Sequence, residues 1–524
     1  MNSPELLARS IEEFLADAAS AVVFEDGALV FDFSSARCSI RVEHGKCVLH
    51  LWSAERNAVR RVIDAEVKKG SLRLTVMRFG QAKPSKLEIC REQDRRSATQ
   101  RRSARTAYQQ RLRTILERRY AGWTIDRLTS EMDLERSFSP VYARGLLRQG
   151  GSAFAVLGVN AQESQAAIDG ALTFGILWLD YCRERAVRAA GRTVLVEGLK
   201  LFVPQGKSAI VRERLAHLEP AAAKWQLYEF DEREGAFVEM DTRDRGNIDT
   251  RLVQCPDDRA VRERFSASRA RILAVVPEAE TAVLSSHEIA FRIRGLEFAR
   301  ARLEPRPDSF RLEEQVVFGT GPGETLLDDT SAERFANFIS VLRETRFTGG
   351  PHNHPLWRTV PERWLESMVI RDVSAIDDRL DAARVYSQVP AFAASDRALI
   401  DVLATTRGGR LAVLELKADE DIHLPLQGVD YWARVEWHRA RGEFGRFGYF
   451  PGRELAAQSP LLLLVAPALH IHPATDTLLR YLSPEIDCTL VGIDERWREH
   501  LRVVFRKRAQ CGRSASASHV TGSV

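Results

Sequence analysis

The sequence feature that most constrains the fold is a pair of strand-like runs, ALIDVLAT and RLAVLELK, joined by TRGG. Two short apolar runs around a glycine-containing turn are typical of a β-hairpin. If the strands pair symmetrically about Gly408, Asp401 lies directly opposite Glu415, with the two Cβ atoms ~5 Å apart. Like charges at that distance destabilise a strand pair unless a cation lies between them. The hairpin therefore predicts a divalent-cation site, because Mg²⁺ is typically held by one or two carboxylates together with water and phosphate oxygens.

The second strand of this hairpin adds a lysine to the same face. Side chains alternate along a strand, so Glu415 and Lys417 point to one face, while Leu414 and Leu416 point to the other. A lysine beside a metal can orient or deprotonate an attacking water, or stabilise the charge that develops in the transition state. The pattern therefore indicates hydrolytic chemistry.

A helix is predicted to follow, starting near Pro425, since proline suits the first helical turn. Gln427 and Tyr431 are four residues apart and so share one helical face. Arg434 and His438 extend that stripe. We expect the stripe to form the rim of a groove and to contact a phosphate backbone.

The order Asp, Glu-x-Lys and Gln-x-x-x-Tyr, placed as strand, hairpin, strand and helix, resembles the PD-(D/E)xK nuclease superfamily, most of all its RecB-like and NucS-like branches. The matching residues are Asp401, Glu415, Lys417, Gln427 and Tyr431. The resemblance implies that the two carboxylates bind Mg²⁺, for which Mn²⁺ can substitute, and that the lysine assists the water nucleophile. It also implies that the Gln/Tyr pair supports the site and contacts DNA.

The resemblance further implies an acidic residue on the helix that precedes these strands. The stretch PERWLESMVIRD offers Glu366, which we favour as a further metal ligand, and Glu362 one turn earlier. Ile400 stands before Asp401 where the family name has proline, a departure common in the RecB-like branch. Over residues 355–508 the resemblance implies a restriction-endonuclease-like mixed sheet flanked by helices.

The length of 524 residues is too great for a single core, because domains usually hold about 100–200 residues. We expect a multidomain α/β (α+β) protein. Its predicted parts are an N-terminal helix plus β-meander at 1–90, an arginine-rich helix or linker at 91–120, a mixed α/β region of unknown role at 121–350, the nuclease-like domain at 355–508 and a disordered tail at 509–524.

Residues 91–120 are strongly basic, with ten arginines against three acids. Arginine gives bidentate phosphate contacts, so Arg101, Arg102 and Arg105 are predicted nucleic-acid contacts. A solvated helix or linker would show the same composition. The net charge of only +4 permits a nucleic-acid partner without requiring one.

The seven cysteines are scattered and never spaced as C-x-x-C, which predicts neither a zinc site nor a disulfide framework and suits a reducing cytoplasm. The longest apolar runs, ALTFGILWL and PLLLLVAPAL, are far shorter than the ~20 residues of a membrane span. The first residues also lack the basic and apolar regions of a secretory signal. We therefore expect a cytoplasmic protein with no membrane partner.

The sequence thus predicts a Mg²⁺-dependent deoxyribonuclease that hydrolyses phosphodiester bonds with metal-activated water. One alternative is a non-catalytic nucleic-acid-binding protein that keeps a nuclease-like domain for docking. Another is a ligand-binding or scaffold protein in which Asp401 and Glu415 do not form a pair. The structure of the DNA substrate, cleavage of RNA, the endo- or exonucleolytic mode and a homodimeric state are left open.

Overall fold

The computed structural model describes residues 3–16, 21–25, 28–33, 36–43, 45–52, 57–68, 70–78, 84–90, 98–188, 194–244, 248, 250–305, 312–320, 324–393 and 396–510. The chain divides into two compact units, each made of two separate segments. The first unit combines Met1–Arg95 with Pro256–Arg363, and the second combines Arg96–Cys255 with Trp364–Val524. The boundary after Cys255 falls inside the segment 121–350 that was predicted as one region.

The N-terminal part of the first unit is a helix packed on an antiparallel sheet. Its elements are α1 (Pro4–Ala16), β1 (Val22–Glu25), β2 (Ala28–Asp32), β3 (Arg37–Glu43), β4 (Lys46–Trp52), β5 (Asn57–Lys68), β6 (Ser71–Arg78) and β7 (Ser85–Cys90). The strands lie in the order β2-β1-β7-β6-β5-β4-β3. Leu72, Leu74 and Val76 alternate with more exposed residues, so one face of β6 is buried, and the apolar stripe of α1 that includes Ile11 and Phe14 joins the same core.

The second unit begins with a helix and a mixed sheet. The elements are α2 (Ala98–Arg119), β8 (Thr124–Thr129), β9 (Tyr142–Gln149), β10 (Ser152–Val159), α3 (Gln165–Asp169), α4 (Ala171–Arg188), β11 (Leu195–Pro204), α5 (Ala209–Leu215), β12 (Lys224–Asp231), β13 (Ala236–Met240) and β14 (Arg251–Leu252). Strands β8 to β13 lie in sequence order, and β11 is parallel to both of its neighbours. Leu199 and Leu201 pack in the core that contains α4, whereas Phe202 packs in the core that contains α2.

The remainder of the first unit is an antiparallel meander with helices at both ends. The elements are α6 (Asp258–Arg264), α7 (Ser266–Val275), β15 (Glu280–Ser285), β16 (Glu288–Ile293), β17 (Leu296–Pro305), β18 (Leu312–Phe318), β19 (Thr325–Leu326), α8 (Ala332–Thr345) and α9 (Pro355–Arg358). The fully buried guanidinium of Arg346 donates hydrogen bonds to the carbonyls of Ile293, Arg294, Leu356 and Thr359. It therefore ties the β16–β17 turn to the segment around α9.

The C-terminal segment completes a second mixed sheet. Its elements are α10 (Pro361–Arg371), a short 3-10 helix (Val373–Ala375), β20 (Tyr386–Ala393), β21 (Asp396–Thr405), β22 (Leu411–Leu416), α11 (Leu424–Ala440), α12 (Glu443–Arg446), β23 (Leu461–Pro467), a second 3-10 helix (Ala468–His470), α13 (Thr475–Arg480), β24 (Asp487–Ile493) and β25 (Val503–Arg508). The order is β14-β20-β21-β22-β23-β24-β25. Strands β20 to β22 form an antiparallel meander, β22 to β24 are parallel, and β25 is antiparallel to β24.

Helices from both segments of the second unit share one core. Helix α4 packs on β10 and β11 and against α13, while α11 packs on β22 and β23 and against α5. The guanidinium of Arg214 in α5 is buried with the carboxylate of Asp430 in α11, at 2.7 Å. Strands β22 and β23 are buried throughout their length, as expected for parallel strands covered on both faces.

The predicted fold class is confirmed: a multidomain α/β protein with a β-rich N-terminal part and a mixed C-terminal sheet flanked by helices. No helix in the described ranges is long and apolar enough to cross a membrane. The predicted disordered tail lies outside the described residues from position 511 onward.

Candidate active site

The hairpin of β21 and β22 sets the geometry of the site. Val402 pairs with Leu414, and the neighbouring pairs follow the same register. Continuing this ladder by one residue places Asp401 opposite Glu415, as symmetric pairing about Gly408 requires. In the turn, Gly409 has a φ of 82°, a left-handed conformation that glycine adopts without strain.

The two carboxylates differ in the hydrogen bonds that their oxygens accept. The Oδ2 atom of Asp401 accepts a hydrogen bond from the backbone N–H of Leu416 at 3.0 Å. Glu415 is only 2% exposed, and its Oε2 atom has no donor among the described residues. Burial, reinforced by the nearby charge of Asp401, raises the pKa of Glu415 well above its ordinary value. The pair thus brings two acidic groups and an unused acceptor to one place, and it disfavours the charge of Glu415 as long as no cation compensates it.

Lys417 is the cation nearest to this pair in the described contacts. Its Nζ atom lies 3.2 Å from Oε1 of Glu415 and 3.7 Å from Oδ2 of Asp421. Burial lowers the pKa of Lys417, but Glu415, Asp421 and Asp401 together outweigh that effect, and the pKa is raised overall. The side chain is therefore a lysine that stays protonated, suited to orienting and stabilising negative charge.

Helix α11, which packs on β22 and β23, carries the predicted Gln427 and Tyr431. The Oε1 atom of Gln427 is buried and receives no hydrogen bond from the described residues. Burial, followed by the charges of Glu415 and Asp401, raises the pKa of the Tyr431 phenol. The helix therefore carries a buried amide acceptor and, one turn later, a phenol that keeps its proton.

Arg434 and His438 occupy positions that do not match their predicted role. They are 4% and 2% exposed. Nδ1 of His438 lies 2.5 Å from Oε2 of Glu443, and its Nε2 lies 3.1 Å from Oγ1 of Thr250. The segment before β14 and the short helix α12 contact this histidine. Side chains so deeply buried offer a phosphate backbone almost no surface, so the expectation that they rim a groove does not fit the structure.

The arginine-rich block is helical over α2, and residues 91–97 lie outside the described residues. Arg105 pairs with Glu163 through two hydrogen bonds of 2.8 and 3.1 Å. A phosphate would have to compete with that carboxylate. Arg102 is exposed and Arg101 is half-buried.

Gln388 in β20 connects the site to the preceding helix, and it carries no sequence signal that pointed to it. Its Nε2 atom donates to Oε2 of Glu366 at 2.6 Å and, more weakly, to Oδ1 of Asp401 at 3.4 Å. Glu366 is 2% exposed and reaches the site by way of this amide. Glu362, one turn earlier in α10, is half-buried.

The donor set fits a hard divalent cation that keeps some of its own water. Among the described residues, no three His, Cys, Asp or Glu side chains form a ready-made metal cluster. Asp401 and Glu415 nevertheless supply two adjacent carboxylates, and the donor-free Oε2 of Glu415 is a buried acceptor that a cation would satisfy. Mg²⁺ commonly binds through one or two carboxylates plus water and phosphate oxygens.

Comparison with known proteins assigns no family. No protein-family model matches the chain, and no curated protein matches it. A crystal structure of a repair endonuclease from Pyrococcus abyssi aligns with 40% of this chain and 92% of its own, with a TM-score of 0.16 and 9% sequence identity. A similarity of that size does not establish a shared fold.

Proposed function

We propose that this protein is a metal-dependent nuclease that hydrolyses the phosphodiester bonds of DNA with a Mg²⁺-activated water. The observation that carries the proposal is the buried Glu415 opposite the half-buried Asp401, on adjacent strands, with the Lys417 cation beside Glu415. Burying one carboxylate against another lowers stability, and a site that keeps such a pair beside a lysine is suited to holding a cation and a reacting phosphate.

In the proposed site, Asp401 and Glu415 would hold a Mg²⁺ ion. When bound, this ion lowers the pKa of its water and neutralises charge on the phosphate. Lys417 stays protonated, so it orients the water and stabilises the charge that develops on the phosphate oxygens.

The α11 side chains complete this chemistry. The buried Oε1 of Gln427 is an acceptor able to hold a proton of the attacking water. The Tyr431 phenol keeps its proton and is therefore available as a hydrogen-bond donor on the same helix. Arg101 and Arg102 on α2 are the arginines of the basic block that we retain as candidate contacts to the DNA backbone.

A cleavage assay on labelled DNAs tests the proposal. Duplex, single-stranded and branched DNA would each be incubated with EDTA, Mg²⁺ or Mn²⁺. We expect metal-dependent cleavage that falls by about 10²–10⁴-fold in Lys417→Ala, the range for loss of a group that assists proton transfer or charge stabilisation. Lys507→Ala, which removes an exposed lysine paired with Asp476 at 2.7 Å, is the matched control and should cut at the wild-type rate.

Two results would contradict the proposal. The first is cleavage by Lys417→Ala at the wild-type rate, which would remove this lysine from the chemistry. The second is a folded protein that binds DNA in a salt-dependent manner and cuts none of the substrates with either metal. That second result would favour the non-catalytic docking protein instead.

A further inference from the structure

Gln388 has an unusual backbone conformation for a residue within a strand. Its φ is 52°, in the left-handed region that residues other than glycine rarely enter. Ser387 pairs with Val402 on β21, and pairing resumes on the other side of Gln388 in the same register. Gln388 therefore lies opposite Asp401, at the point of β20 nearest to the carboxylate pair.

The Gln388 amide contacts two acidic side chains. Its Nε2 donates one short hydrogen bond to Glu366, and one long one to Asp401. The other carboxylate oxygen of Asp401, Oδ2, accepts a hydrogen bond from the backbone N–H of Leu416. Hydrogen bonds to a carboxylate are stronger than those between neutral groups, so they restrict its rotation.

A strained residue persists where the surrounding structure holds it, and such residues cluster at functional sites. Gln388 combines strain with contacts to the proposed metal-binding carboxylate. We propose that Gln388 is a positioning residue of the metal site, whose amide fixes the orientation of Asp401 and through which Glu366 acts on that carboxylate. This inference rests on the proposed function, because it assigns Asp401 the role of a metal ligand.

The role predicts that metal affinity and stability respond differently to substitution. Gln388→Gly removes the amide but also relieves the left-handed strain, since glycine adopts this φ freely. Gln388→Met keeps the side-chain length and removes only the hydrogen-bonding group. Loss of a residue that orients a metal ligand typically weakens metal binding about 10–100-fold.

The experiment is titration calorimetry of the full-length protein with Mn²⁺, together with thermal unfolding in EDTA and cleavage assays. We expect both Gln388 variants to bind Mn²⁺ about 10–100-fold more weakly than wild type. Gln388→Gly should unfold in EDTA at or above the wild-type temperature. The matched control is Arg127→Gly, which relieves a φ of 54° at an exposed position of β8 and should leave Mn²⁺ affinity unchanged.

Wild-type Mn²⁺ affinity in both Gln388 variants would overturn the inference, while metal-dependent cleavage by the wild type would leave the proposed function standing. A Gln388→Gly protein that is less stable in EDTA but binds Mn²⁺ normally would assign Gln388 a purely structural role and overturn the inference as well. A wild-type protein that neither binds Mn²⁺ nor cuts DNA would overturn the proposed function and this inference together.

Discussion

Glu415 is ionisable, buried and adjacent to a second carboxylate, and these properties together set its effect on stability. Burial and Asp401 raise its pKa above the ordinary value of 4.5. An acid with a raised pKa in the folded state binds its proton more tightly there than in the unfolded chain. Its stabilising contribution is therefore complete below the unfolded-state pKa and is lost as pH rises through the folded-state pKa.

Glu415→Gln should consequently make the metal-free protein more stable at pH 8, because glutamine carries no charge to bury. We expect a gain of about 1–3 kcal/mol in the free energy of unfolding, the size of the penalty for an unsatisfied buried polar group. The gain should shrink toward pH 5. Thermal unfolding in EDTA across this pH range measures it, with the exposed Glu184→Gln as control. An identical pH dependence for Glu415→Gln and wild type would contradict the assignment.

The sequence allowed the residue pairs of the hairpin to be predicted because the signals are local. The turn, the alternation of side chains and the positions of Asp401, Glu415 and Lys417 all lie within a short stretch. The strained Gln388 lies outside it, and a φ of 52° in a strand leaves no mark in residue type. Its role depends on contacts with α10, which no local pattern specifies.

At the scale of single elements, α11 lies unusually close to β23. A Cβ atom added to Gly428 would meet Cδ2 of Leu464 at 2.4 Å and Cδ1 of Leu462 at 3.2 Å. Glycine is otherwise unfavourable within a helix, by roughly 1 kcal/mol relative to alanine. The close approach thus accounts for a glycine next to Gln427, and it sets the depth at which α11 presents its side chains to the site.

Gly428→Ala should destabilise the protein despite the better helix propensity of alanine. We expect a loss of about 1–3 kcal/mol, typical of overpacking, together with reduced cleavage because Gln427 and Tyr431 move with the helix. Denaturant unfolding and the cleavage assay measure the two effects. Gly445→Ala in α12, where an added Cβ meets nothing within 4 Å, should leave stability unchanged or raised. A Gly428→Ala protein that is more stable than wild type would show that the space between α11 and β23 accommodates the added methyl group, and it would contradict this prediction.

The helical stripe shows where local patterns mislead. The spacing of Gln427, Tyr431, Arg434 and His438 predicts a shared face, but it does not reveal which elements cover that face. His438 is buried by contacts with Thr250 and Glu443, and Thr250 precedes β14, far away in the sequence. The prediction of a groove rim failed because segments distant in the sequence bury these side chains, and the local spacing does not show that.

At the scale of the whole molecule, the helices that cover the proposed catalytic sheet share their hydrophobic core with helices of the preceding segment. Helix α11 packs against α5, and α13 packs against α4, so residues from 96–255 and from 364–510 share one apolar cluster. The buried pair of Arg214 and Asp430 joins the same two segments. The domain predicted as 355–508 is therefore only part of a compact unit.

A fragment covering 355–524 should fail to fold cooperatively on its own, because the apolar faces of α11 and α13 and the charge of Asp430 would lose their partners. Circular dichroism with thermal unfolding checks this. Co-expression with a second fragment covering 96–255 is the control, and we expect the two to copurify. A sharp unfolding transition for 355–524 alone would contradict the shared core.

The most direct test of the central claim compares DNA cleavage by wild type and Asp401→Ala in Mg²⁺, in Mn²⁺ and in EDTA, after circular dichroism shows that both proteins are folded. Asp401 is the first of the two proposed metal ligands, so we expect that cleavage requires both the metal and this carboxylate. Cleavage by wild type in Mg²⁺ or Mn²⁺, absent in EDTA and absent in Asp401→Ala, is the predicted result. Cleavage by Asp401→Ala at the wild-type rate would contradict the account.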